Sequence, residues 1–238
     1  MSEIIQARTP VGEIAATLPA TVAVLESHGI DYCCGGIQTL EQAAGRAGVG
    51  LEALIEELAA AAQGPDSDEN IRWDERPLPE LLDHLLGTHH EYTKRAIREL
   101  PPLATKVVAA HGKAHPELVE LRGVVDALLG ELNLHLRKEE EVLFPMLREL
   151  AMGRPLQMDP RAPISVMERE HDEVGGMLRR MRELGRDYAP PDDACTTWRA
   201  YYKFLDEFEA DLHRHIHLEN NVLHRRARMI LARPAAKA

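Results

Sequence analysis

Aromatic residues make up only 4% of the 238-residue chain. Sheet cores draw on aromatic and β-branched side chains, so this scarcity, beside abundant Leu, Ala, Glu and Arg, points to helices. Cysteine is rarer still. Three residues, two of them adjacent, do not make a disulfide framework, and a reducing cytoplasm is the expected setting. Positive charge is in deficit: 28 Lys and Arg face 39 Asp and Glu, for a net charge of −11. A chain this acidic lacks the basic surface that phosphate binding demands, so no nucleic-acid partner is expected. The short run of Arg225, Arg226 and Arg228 suits the cation-favouring end of a last helix instead. No apolar run approaches the roughly 18 residues of a membrane span, and Met1-Ser2-Glu3-Ile4-Ile5-Gln6 carries neither a cationic nor an apolar leader segment. No membrane partner is expected.

What is present is a core-forming composition, 45% hydrophobic and 28% charged. The breaker-rich stretch Gln63-Gly64-Pro65-Asp66-Ser67-Asp68-Glu69-Asn70 divides the chain. The reading is a small helical N-terminal domain over 1–63, a linker over 64–78 and a helical bundle over 79–232. In the first part Ile14, Leu18, Val22 and Leu25 recur at helical spacing, Pro19 splits that run and Gly29 stops it. A second helical run spans 51–62, and Asp31-Tyr32-Cys33-Cys34-Gly35-Gly36 forms a tight loop between them. The bundle reads as four long helices: one ending before Pro101-Pro102, then 116–150, 164–186 and 194–231. Ser165 and Glu168 read as a capping box behind Pro163. Modest connections between long amphipathic helices predict an all-α, up-and-down four-helix bundle.

Two of those helices repeat one another. His135-x3-Glu139 followed by Val142-Leu143 lies over His215-x3-Glu219 followed by Val222-Leu223 at a constant offset of 80 residues. An acid precedes each histidine by four, Glu131 in one copy and Asp211 in the other. Residues four apart share a helix face, so each His/Glu pair converges on one spot. Imidazole and carboxylate together suit iron, and a carboxylate can bridge two metals, so a paired His-x3-Glu predicts a binuclear iron site within the bundle. The other helices should then each supply a ligand. The third offers His171; the first offers His84, His89 and His90. His84 to His135 is 51 residues and His171 to His215 is 44, a difference of seven, or two helical turns. His84 keeps the same facing if the extra length is helical; His89 stays open if it lies in the loop. Glu131, Glu170 and Asp211 sit where they could orient ligand imidazoles. His28, His111, His115, His217 and His224 are expected as solvated or loop histidines, and Cys33 and Cys34 are candidate reactive thiols exposed by the Gly-Gly turn.

These motifs resemble the RIC proteins, the di-iron "repair of iron centres" family. Asp31-Tyr32-Cys33-Cys34-Gly35-Gly36 looks like its ScdA-type N-terminal domain. His135-x3-Glu139, Pro163-Ile-Ser-Val-Met-Glu168, Glu170-His171-Asp172 and His215-x3-Glu219 look like its haemerythrin-like bundle. The resemblance covers nearly the whole chain. It implies His84, His135, Glu139, His171, His215 and Glu219 as ligands of two iron ions, with the glutamates and an oxo or hydroxo group bridging. It further implies repair of iron–sulfur clusters damaged by nitrosative or oxidative stress, by donation of iron to damaged or apo iron–sulfur proteins. A reductase of nitric oxide, nitrite or dioxygen, or an oxygen or redox sensor, are the alternatives. Nitric oxide as a small-molecule partner, a cytoplasmic setting and a homodimer are implied as well.

Overall fold

The computed structural model describes residues 4–64 and 71–232, which are helical throughout apart from turns and one isolated bridge pairing Pro10 with Thr39. Part of the expected linker, 65–70, lies outside the described residues. The helices in chain order are α1 (Val11–Thr17), α2 (Val22–Ser27), α3 (Leu40–Ala47), α4 (Leu51–Ala61), α5 (Leu78–His84), α6 (Glu91–His111), α7 (Glu117–Lys138), α8 (Phe144–Ala151), α9 (Arg161–Leu184), α10 (Thr196–His217) and α11 (Arg225–Leu231). Wider π turns at Leu85–His90, Glu139–Leu143 and Leu218–His224 join α5 to α6, α7 to α8 and α10 to α11 without a break. Four rods result, as expected. A π turn inserts a residue into the helical ladder, and such insertions concentrate at functional sites.

The chain divides into two compact units. One holds residues up to Leu81 together with those from His213 onward; the other is Leu82–Leu212. In the second unit the apolar stripe of α7 runs Leu118, Leu121, Val125, Leu128 and Leu132, and that of α9 runs Ile164, Met167, Val174, Leu178 and Met181. They recur at three-, four- or seven-residue steps, so one face of each helix leaves water. Tyr92 of α6 stacks on Phe208 of α10, and His111, at the other end of α6, meets Trp198. Arg182 of α9 donates to Glu209 and Asp206 of α10. These contacts close the helices into an antiparallel ring. In the first unit Val11, Ile14, Leu25, Ile30, Tyr32, Leu40, Leu54 and Leu58 make a separate small core.

Two boundaries differ from expectation. The first rod does not stop at Pro101-Pro102 but runs through both to His111. Ala96, Leu100, Ala104 and Val107 are buried on one face, whereas Pro102 is exposed and Pro101 half-buried. Burial of that stripe outweighs the lost backbone hydrogen bonds. Likewise α9 begins at Arg161, so Ser165 stands inside the helix and caps nothing. Pro19 does split the first run, as expected, through a short 3₁₀ turn at Pro19–Thr21.

Candidate metal centre

The stripes that build the core of the second unit also carry its polar donors. Continuing the α7 stripe by three and then four residues gives His135 and Glu139, and His171 interrupts the α9 stripe between Met167 and Val174. The helix register therefore delivers these side chains to the interior, at 3%, 0% and 2% exposure. From the first rod comes His90, wholly buried at the end of its π turn.

The four groups face one another. Oε1 of Glu139 lies 3.3 Å from Nε2 of His135, and Oε2 lies 3.5 Å from Nε2 of His90. Nε2 of His171 is 3.1 Å from Nε2 of His135. Neither oxygen of Glu139 accepts a hydrogen bond among the described residues. A buried carboxylate without hydrogen bonds is costly unless a cation compensates it, and imidazole nitrogens turned toward it complete a donor set for a transition metal. The groups fit a metal.

Outer partners fix the rings. Nδ1 of His90 is 2.8 Å from Oε1 of Glu140, and Nδ1 of His135 is 2.9 Å from Oε2 of Glu170. Donation from Nδ1 leaves the Nε2 lone pair directed inward. Burial opposes ionisation of both outer acids. Lys94 and His90 nevertheless hold the Glu140 carboxyl below its ordinary range, and Lys138 and His135 do the same for Glu170.

The first unit carries the second pair of the repeat. Nε2 of His215 is 3.1 Å from Oε1 of Glu219, with 2% and 0% exposure. The same unit holds the cysteine loop against the last rod. Nδ2 of Asn221 donates to the carbonyl oxygens of Tyr32 and Cys33, at 3.1 Å each, and the His217 ring packs edge-on against Tyr32. A Cβ on Gly36 would stand 2.5 Å from Oδ1 of Asn221 and 2.8 Å from the Tyr32 carbonyl oxygen. Gly36→Ala is therefore expected to lose about 1–3 kcal/mol in chemical denaturation; an unchanged midpoint would show that the loop is not held this tightly. The Cys33 thiol, hydrogen-bonded with Cys34, buried and beside Asp31, is pushed well above the ordinary thiol range.

Several sequence expectations need correction. His84 is not among the clustered donors: it is half-buried, its ring lies edge-on to His89 at 5.3 Å, and Thr88 is its polar neighbour at 3.3 Å. Burial and the neighbouring His89 outweigh Asp211 and lower its pKa to about 4. His89 is buried too, but its Nδ1 pairs with Oδ1 of Asp211 at 2.9 Å. Asp211 thus orients His89 rather than one of the expected ligands. Glu131 is exposed on α7. Glu170 lies against Nδ1 of His135 and Glu140 against Nδ1 of His90, and spacing alone had not singled out Glu140. His217 and His224, expected in solvent, are buried at 4% and 0% exposure.

Known proteins resemble this chain over most of its length. The family model described as the hemerythrin HHE cation binding domain matches residues 81–227, and ScdA_N, described as a domain of unknown function (DUF542), matches residues 7–62. The chain is 38% identical to "Iron-sulfur cluster repair protein YtfE" of Yersinia pseudotuberculosis serotype IB, over 91% of this chain and 95% of that protein. It is 39% identical to the protein of the same name from Citrobacter koseri, over 92% and 96%, and 40% identical to that of Cronobacter sakazakii, over 92% and 95%. The chain belongs to this family. Its haemerythrin-type segment supplies the buried histidine and glutamate donors, and these make a metal-binding site of the kind suited to iron. Among the described residues no helix is long and apolar enough to cross a membrane.

Proposed function

We propose that His90, His135, His171 and His215, with Glu139 and Glu219 as bridges, hold two iron ions, and that the protein restores damaged iron–sulfur clusters by giving up iron to them. Glu139 carries this reading. It is fully buried and accepts no hydrogen bond among the described residues, and its two oxygens are turned to imidazoles from different helices, the pose of a carboxylate shared by two metals. The 80-residue repeat supplies a matching pair, His215 and Glu219. The relatives' printed names supply the client class, iron–sulfur proteins.

When bound, the iron pair with its oxo or hydroxo bridge supplies both exchangeable iron and a place for a small ligand such as nitric oxide. The chain's own groups set how firmly iron is held. Imidazole and carboxylate bind iron(II) less tightly than thiolates do, so transfer toward a cysteine-lined cluster runs downhill. Glu140 and Glu170 keep His90 and His135 in the tautomer that offers Nε2. The stress setting and a reducing cytoplasm belong to the same proposal.

The test loads the protein with iron-57 and mixes it with a dehydratase whose cluster has lost iron. Recovery of dehydratase activity should track loss of iron-57 from this chain and its appearance in the acceptor. Repeated recovery with the label retained would replace iron donation by a catalytic reading.

A further inference from the structure

The cysteine loop is a built constellation that the histidine–glutamate set does not use. Asp31, Cys33 and Cys34 each offer a donor atom, all within 4.8 Å of one another. The two Sγ atoms are 3.8 Å apart, and Sγ of Cys33 is 3.3 Å from Oδ1 of Asp31. Tetrahedral coordination with metal–sulfur bonds of about 2.3 Å requires a sulfur–sulfur edge of about 3.8 Å. The observed separation meets that requirement.

A disulfide does not compete for these sulfurs: none of the cysteines is disulfide-bonded. Adjacent Cα atoms across a trans peptide lie about 3.8 Å apart, inside the shortest separation a relaxed disulfide spans. The loop is also held in place before any ligand arrives. Oδ1 of Asp31 accepts the backbone N–H of Cys33 at 3.2 Å and of Cys34 at 2.9 Å, and Asn221 holds the carbonyl of Cys33. A Cβ on Gly35 would meet the Asp31 carbonyl oxygen at 2.9 Å, so glycine lets the chain turn back on the carboxylate. Such preorganisation is what a metal site needs from its surroundings.

We propose that Asp31, Cys33 and Cys34 bind one divalent, thiophilic first-row cation through two thiolates and a carboxylate. Sγ of Cys33 already lies 3.3 Å from Oδ1 of Asp31, and the cation takes the place of the thiol proton. Two thiol protons leave to solvent, no electron moves, and a fourth tetrahedral position remains for water or an incoming ligand. The site stands independently of the cluster-repair reading.

Cobalt(II) titration of the full chain tests it, because sulfur-to-cobalt charge transfer requires thiolate ligands and the histidine–glutamate set has none. The expected result is a near-ultraviolet band whose saturating intensity corresponds to about one thiolate-bound cobalt per chain, with about two protons released from the thiols. Glu139→Ala plus Glu219→Ala and, separately, Cys195→Ser should keep the band; Cys33→Ser and Cys34→Ser should each abolish it. Asp31→Asn, which can still accept the loop N–H groups, should shift half-saturation to at least about tenfold higher cobalt. Circular dichroism checks each fold. Should buried Cys33 not tolerate serine, the half-buried Cys34 carries the test alone, joined by protection of wild-type thiols from N-ethylmaleimide by cobalt. Absence of the band at saturating cobalt, or its survival in both cysteine variants, overturns the proposal.

Discussion

Replacing Glu139 and Glu219 together by alanine is expected to abolish the iron pair, taking bound iron from about two per chain to residual levels and removing any coupled Mössbauer signal. Both carboxylates are fully buried, and in this reading they are the groups shared between metals. Losing even an orienting partner costs metal affinity about 10–100-fold, so losing both bridges should cost more. The effect on stability should change sign with the metal. At free iron 1,000-fold above Kd, wild type gains about 4 kcal/mol from binding, which the variant forfeits. For a chain of this size that corresponds to about 8–16 °C in Tm. In chelated protein the comparison reverses. Wild type then keeps buried carboxylates without a cation, at several kcal/mol each, and the variant exchanges that penalty for two small cavities. The chelated variant should therefore melt no lower than chelated wild type. A variant equally destabilised with and without iron would show that these glutamates act in packing, not as ligands.

The second large effect separates two histidines six residues apart. His90→Ala should lower iron affinity by at least about tenfold and remove repair activity, whereas His84→Ala should change stability by no more than about 1 kcal/mol and leave iron content intact. The reason is placement. Nε2 of His90 is turned toward Glu139 and its Nδ1 is held by Glu140, while His84 packs half-buried beside His89. The readout is iron per chain after gel filtration against a weak chelator. Loss of iron in His84→Ala with retention in His90→Ala would restore the assignment implied by resemblance.

The place of His90 beside Glu139 separates what spacing along a helix fixes from what packing fixes. His135, Glu139, His215 and Glu219 were legible because a four-residue step on a helix fixes a shared face whatever surrounds it. His171 followed as the single histidine on its helix, and the long apolar stripes announced the four rods. His90 had a signal that was available: it lies 45 residues before His135, close to the 44 between His171 and His215, without any need for extra helical turns. Resemblance alone favours His84; on spacing it keeps its facing only if the seven extra residues are helical. The π turn at Leu85–His90 shifts the register of everything after it, and the helix continues past Pro101-Pro102 rather than ending there. Neither property is local. A proline pair reads as a stop until the buried face beneath it is counted, and a π turn has no reliable residue signature because packing at its ends stabilises it.

By itself, then, the sequence determined the all-helical class, the repeat, the two His/Glu pairs and the glycine-bounded cysteine loop. Each of these depends on spacing along one helix or on the backbone freedom of a turn. Tertiary structure alone decided which histidine of the first rod joins Glu139, that Glu140 and Asp211 orient different imidazoles, and that His217 and His224 are buried. It also decided that Asn221 grips the loop carrying Cys33. Those outcomes rest on contacts between residues far apart in the chain, fixed only when the apolar faces of separate helices are buried against one another.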